Sequence, residues 1–166
     1  MRASVCAVLM AGMLSTSAIA ASLNAPTGPV ILTVTGAVAN TNDGTAAVFD
    51  MDMLNALASR TTVTKSPWYD SAQTFTGPLG SALLAAVGAS GTTLKVVAIN
   101  DYVTEIPVAD FNQYNVILAT TLDGKEMSLR DKGPIFIIYP FDEQPQLNNE
   151  TYYGRSAWQV KSIEVQ

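Results

Sequence analysis

The chain has 166 residues, with 14 acidic against 9 basic side chains, one cysteine and no histidine. The acidic balance excludes a nucleic-acid binder, because that affinity rests on Lys and Arg neutralising phosphates. Without histidine there is neither Ser–His catalysis nor histidine-based zinc chemistry, and a single cysteine cannot close a disulfide within the chain. Charged residues make up only 14%, below the usual quarter of about 25%, which suits a compact, apolar module.

The first residues, MRASVCAVLMAGMLSTSAIAAS, place Arg2 before an apolar run and end in Ala18-Ile-Ala20. That is the pattern of a secretory signal peptide, residues 1–20. The apolar run is shorter than the roughly 20 residues that span a bilayer. Cleavage after Ala20 would remove the one cysteine, Cys6, and with it thiol chemistry. The remainder, 21–166, is expected to be a single exported domain, periplasmic or secreted.

In chain order, Pro29–Val38 puts Val30, Leu32, Val34 and Val38 on one parity, a half-buried strand. Asn40–Gly44 is a turn cluster without the ligand spacing of a calcium loop. Asp50–Arg60 reads as a short helix capped by Asp50, with Met53, Leu54 and Leu57 as its apolar side. Thr61–Gln73 follows as a polar stretch holding Pro67-Trp68-Tyr69. Gly77–Gly88 is a second helix, with Pro78 in the first turn, Leu79, Leu83, Ala86 and Val87 on one face, and Gly88 as its left-handed cap. Leu94–Ile99 is a strand that Asn100-Asp101-Tyr102 interrupts, and Pro107–Tyr114 is about one helical turn. Asp123-Gly124 predicts a hairpin between flanking strands. Ile135–Tyr139, apolar at every position, predicts a strand buried on both faces. Phe141–Thr151 reads as a long polar loop. Trp158–Val165 is the closing strand, with a bulge near Lys161 where the alternation changes phase. The expected class is α+β, mostly β with a few short helices.

The order of these motifs carries a resemblance. Val34-Thr-Gly36, Phe75-Thr-Gly77-Pro-Leu79, the Asp123-Gly124 hairpin, Lys132-Gly133-Pro134-Ile135 ending at Pro140, and Trp158 leading to Ile163-Glu-Val165 stand in sequence. Together they resemble the molybdopterin-binding domain of the sulfite oxidase family over most of Ile31–Val165. The resemblance implies that fold. It also implies a cysteine thiolate on molybdenum, which would fall between Ala58 and Phe75. No cysteine stands there, and no other side chain reproduces a soft anionic thiolate. Ser66 or Asp70 could offer only oxygen. The family's arginine after Gly-Pro is replaced by Phe136. Arg60, Arg130 and Arg155 are the arginines left beyond the leader to hold a pyrophosphate.

The residues therefore point to a cofactor-free relative that works by binding a small ligand or the outer part of a membrane sensor. The alternative is a molybdopterin-dependent oxidoreductase with a non-cysteine ligand. Asn100, Asp101 and Tyr102 are candidates for a ligand-binding rim, or for a local Asx turn. Arg130, Lys132 and Arg155 could form an anion pocket, unless Asp131 pairs with the first two. Trp68 and Tyr69, in the segment of the missing metal ligand, could fill that space with rings. Trp158 reads as core, and no metal ligand is assigned.

Overall fold

A computed structural model describes residues 23–166; the expected signal peptide and Cys6 lie outside them. Among the described residues no helix is long and apolar enough to cross a membrane. The chain is mostly β with a few short helices.

A five-stranded sheet runs in the order β2-β1-β11-β5-β6. It is built from β1 (Leu32–Gly36), β2 (Ala47–Phe49), β5 (Thr93–Ala98), β6 (Val103–Pro107) and β11 (Val160–Val165). β1 and β11 pair in parallel, and the other neighbours are antiparallel. The register of β11 on β5 shifts between Val160 and Ser162, so the predicted bulge lies at Lys161. β5 alternates between buried and half-buried positions, because only one of its faces meets the core.

A four-stranded sheet, β3-β4-β8-β9, contains β3 (Ser59–Ser66), β4 (Tyr69–Pro78), β8 (Thr121–Leu122) and β9 (Lys125–Glu126). The stretch 61–73, read from sequence as polar and given no element, lies in its long hairpin β3–β4. Thr62 and Thr64 point into the protein while their neighbours face solvent. The β-branched threonines supply strand propensity, but their hydroxyls hide the apolar alternation. Asp123 (φ 49°) and Gly124 (φ 77°) form the predicted tight turn between β8 and β9.

The third unit pairs β7 (Ile117–Ala119) with β10 (Phe136–Ile138), antiparallel. Here the all-apolar run finds its explanation. Ile135, Ile137 and Tyr139 enter the main core, and Phe136 and Ile138 enter a second, smaller one with Phe75, Ile117 and Met127. β10 is thus a wall shared by two cores, and each large side chain buried there contributes about 1.5–3 kcal/mol.

Helix α1 (Met51–Asn55) starts at Asp50, whose Oδ1 accepts from the Met53 N–H at 2.9 Å. Its Oδ2 accepts from the N–H groups of Thr27 and Gly28, at 2.7 and 2.8 Å. One carboxylate thereby caps the helix and pins the entering chain. The Met53 N–H first, and then that of Gly28, hold the Asp50 carboxyl below its ordinary value of 3.8. A folded-state pKa that is depressed gives stability present above the unfolded value and lost as pH falls through the folded one. Asp50→Asn is therefore expected to flatten the loss of melting temperature below about pH 4. An unchanged acid limb would assign that loss to other carboxylates.

Helix α2 (Gly80–Val87) is capped at its start by Leu79 and at its end by left-handed Gly88. Pro78 is the last residue of β4, which corrects its placement in the first helical turn. α3 covers Val108–Gln113. The loop expected over 141–151 is shorter, because α4 (Glu150–Arg155) begins within it, capped by the Asn149 side chain on the Thr151 N–H.

Candidate functional site

The turn between β5 and β6, the loop between β3 and β4, and the end of α4 converge on one cavity of about 240 Å³. Trp68, Asn100, Tyr102, Tyr153, Ser156 and Trp158 line it. Each arrives for a local reason. Trp68 sits at the tip of the β3–β4 hairpin. Its ring meets Phe136, Trp158 and Tyr153 edge-on, with centroids 5.3, 5.6 and 6.2 Å away. Such edge-to-face pairs add about 0.5–1.5 kcal/mol beyond their burial. Tyr102 reaches from the β5–β6 turn to α4, donating its hydroxyl to the Gly154 carbonyl at 2.8 Å. Ser156, at the α4 C-terminus, donates to the Tyr152 carbonyl at 2.9 Å.

Of the binding candidates singled out by sequence, Trp68, Asn100 and Tyr102 are lining residues. Tyr69 lies beside the cavity in the second core, 5.9 Å from Phe75. Burial, and then the charges of Asp131 and Asp123, push its phenol above the ordinary range. The Lys132 ammonium sits over the Tyr69 ring at 5.0 Å and the Trp158 ring at 5.8 Å. Arg130 is exposed on a short 3-10 turn, Leu129–Asp131. Asp131 accepts from the Ser128 hydroxyl at 2.7 Å, in place of the pairing with Arg130 or Lys132 that the sequence suggested. Asp101 takes a left-handed conformation, φ 64°, and pairs with Lys161 at 2.7 Å. The hydrogen bond to Lys161 lowers the Asp101 pKa. The local turn contact comes from Asn100, whose Oδ1 accepts from the Tyr102 N–H at 3.2 Å.

Arg155 faces inward, to a different place. Its Nη1 donates to Asp110 Oδ2 at 2.9 Å, and the buried Tyr139 hydroxyl donates to the same oxygen at 2.8 Å. The geometry thus separates Arg155 from the rings that Lys132 covers. Tyr153, Ser156 and the pocket role of Trp158 escaped the sequence reading. Tyr153 and Ser156 carry no local pattern, and Trp158 reads as core because its ring also packs 6.0 Å from Phe136.

The hairpin β3–β4 occupies the segment where the resemblance would place a molybdenum ligand. The buried side-chain atoms there without a partner are Arg60 Nη1, Thr62 Oγ1, Ser66 Oγ and Tyr69 Oη. The oxygens are neutral hydroxyls, poor substitutes for a thiolate. Arg60 pairs with Glu143 through Nη2 at 2.5 Å and keeps Nη1 without a partner, whereas Arg155 is held by Asp110. No thiolate stands in this segment, so its side chains do not fit the molybdenum-ligand part of a molybdopterin site. If the Ser66 hydroxyl is only an unsatisfied buried group, removing it relieves a desolvation penalty of about 1–3 kcal/mol. Ser66→Ala is therefore expected to hold or raise the melting temperature. A drop of several degrees would show that the hydroxyl serves a partner.

The architecture around this cavity is a distant sulfite-oxidase-like fold. Among solved structures the chain is similar to the crystal structure of the sulfane dehydrogenase SoxCD from Paracoccus pantotrophus, at a TM-score of 0.61 and 16% identity. The match covers 81% of this chain and 37% of that one, so the chain spans well under half of its neighbour's length. No protein family matches the sequence, and no curated protein matches it.

Proposed function

We propose that this chain is an exported, cofactor-free binding domain on a sulfite-oxidase-like scaffold, with the aromatic cavity as its ligand site. The observation that carries this reading is the convergence of Trp68, Tyr102, Tyr153 and Trp158 around about 240 Å³ of space, with Asn100 and Ser156 as its polar points. Mostly apolar concavities with a few placed polar groups are the usual form of small-molecule sites. Export to the periplasm or beyond rests on the residues 1–20 pattern. In that compartment, occupancy of the cavity could be passed to the outer part of a membrane sensor. The side chains around the cavity are a poor set for chemistry: no carboxylate, lysine, cysteine or histidine is among those lining it.

A thermal-shift screen with small amines, amino acids and aromatic acids tests the reading. A ligand at a hundredfold excess over its Kd adds about 2.7 kcal/mol to the native state. The expected result is at least one compound that raises the melting temperature by several degrees in the wild type and less in Tyr102→Leu. A panel that leaves the wild type unmoved contradicts the proposal.

A further inference from the structure

We infer that the ligand is a small organic ammonium ion, a deduction that rests on the cavity being a ligand site. It comes from asking what each lining residue still has to offer. The hydroxyl protons are already spent. Tyr102 donates to the Gly154 carbonyl, Tyr153 to Asn148 Oδ1, and Ser156 to the Tyr152 carbonyl. A hydroxyl that has donated can only accept, so these side chains offer a guest oxygen lone pairs. The four rings offer π faces, which carry negative potential and attract cations. The remaining polar groups are the Asn100 amide, whose Oδ1 is occupied by the Tyr102 N–H, and the indole N–H groups of Trp68 and Trp158, which can only donate.

An anionic guest would thus meet lone pairs and ring systems, with neutral N–H groups of Asn100 and the two tryptophans as its donors and no cationic side chain. No lysine or arginine lines the cavity. A cationic guest meets hydroxyl lone pairs and aromatic rings, in a chain whose net charge is −5. At about 240 Å³ the cavity is below the roughly 300–1,000 Å³ of sites for drug-sized ligands. It suits an alkylammonium or trimethylammonium headgroup rather than an extended molecule.

The chain contains two tryptophans, Trp68 and Trp158, and both line the cavity. Intrinsic tryptophan fluorescence is therefore a reporter of this site alone. The experiment titrates the protein with choline, with its neutral isostere 3,3-dimethylbutan-1-ol, and with indole. The expected result is a saturating change with choline at an affinity at least about tenfold tighter than for the neutral isostere. Tyr102, 46% exposed, can be replaced without opening the core. Tyr102→Leu is expected to weaken choline roughly 2- to 30-fold, the range of one cation–π contact, and Tyr102→Phe to change it little. Equal affinity for choline and its isostere, or tighter binding of indole, overturns the ammonium assignment and leaves the ligand-site reading standing. A flat response to all three probes, in a protein with an unchanged melting curve, overturns both.

Discussion

Asp110→Ala is expected to destabilise the protein by about 3–5 kcal/mol, the usual consequence of leaving one member of a buried ion pair alone. For a domain of this size that lowers the melting temperature by about 6–20 °C. Asp110 is 6% exposed, and one of its oxygens serves two donors. It joins α3 to α4 through Arg155 and to the residue just after β10 through the Tyr139 phenol. Removing the carboxylate leaves the fully buried Tyr139 hydroxyl without its acceptor, and the Arg155 guanidinium with only the Tyr152 ring and solvent. Tyr139→Phe removes only the donor and is expected to lose about 1.5–3 kcal/mol, as for a hydrogen bond to a charged group. The two effects should not add, because they share one oxygen.

The same triad sets an alkaline limit. Burial, and then the negative charge of Asp110, raise the Tyr139 phenol far above its ordinary value of 10.0. A phenol whose folded pKa is raised contributes stability that is full below the unfolded value and declines as pH rises past it. Wild-type stability should therefore fall above about pH 10, and Tyr139→Phe should fall less steeply. Denaturant midpoints across that range check this. Parallel declines in the two proteins would remove Tyr139 as the cause.

The second large effect is at Gly77, where a Cβ would lie 2.1 Å from the Leu118 carbonyl oxygen and 2.7 Å from the Ala119 Cα. Both obstacles are backbone, so no rotamer change relieves them. Here β4 runs hard against β7, with Thr120 N–H bonded to the Thr76 carbonyl and Gly80 N–H to that of Val116. Gly77→Ala is expected to destabilise by about 3 kcal/mol or more, at the upper end of overpacking effects. Gly44→Ala is the control. Its φ is +59° and its Cβ would meet nothing within 4 Å, so the change carries only the left-handed backbone penalty of about 1–2 kcal/mol. Equal melting temperatures for the two variants would show that the strands separate readily at Gly77.

That glycine also explains what was legible in the sequence. Gly77 belongs to the motif that carried the family resemblance, and its role is close strand approach, a property of the scaffold. The same holds for Gly36, whose Cβ would come within 2.1 Å of the Val165 carbonyl oxygen. Motifs of this kind report fold, which is why the scaffold could be read and the site could not. The Asp50 cap, the Asp123-Gly124 turn, the doubly buried β10 and the bulge at Lys161 were readable because each follows from a local rule. The β3–β4 hairpin was not, since threonines stand at its inward positions. β6 was also missed, because its alternation spans only five residues, two of them Glu105 and Pro107. The cavity draws on positions from 68 to 158. Only folding brings them together, and no spacing in the chain announces Tyr153 or Ser156. Asp110 passed as one acid in a helical turn for the same reason.

This scaffold holds rings and hydroxyls in the segment where the family it resembles would hold a metal-binding thiolate. The most direct measurement is the molybdenum content, by elemental analysis, of the full chain purified from a host that makes the molybdopterin cofactor. The expected content is far below one molybdenum atom per chain. A value close to one per chain, lost in Ser66→Ala, would contradict it and make the protein an oxidoreductase with an oxygen-ligated metal.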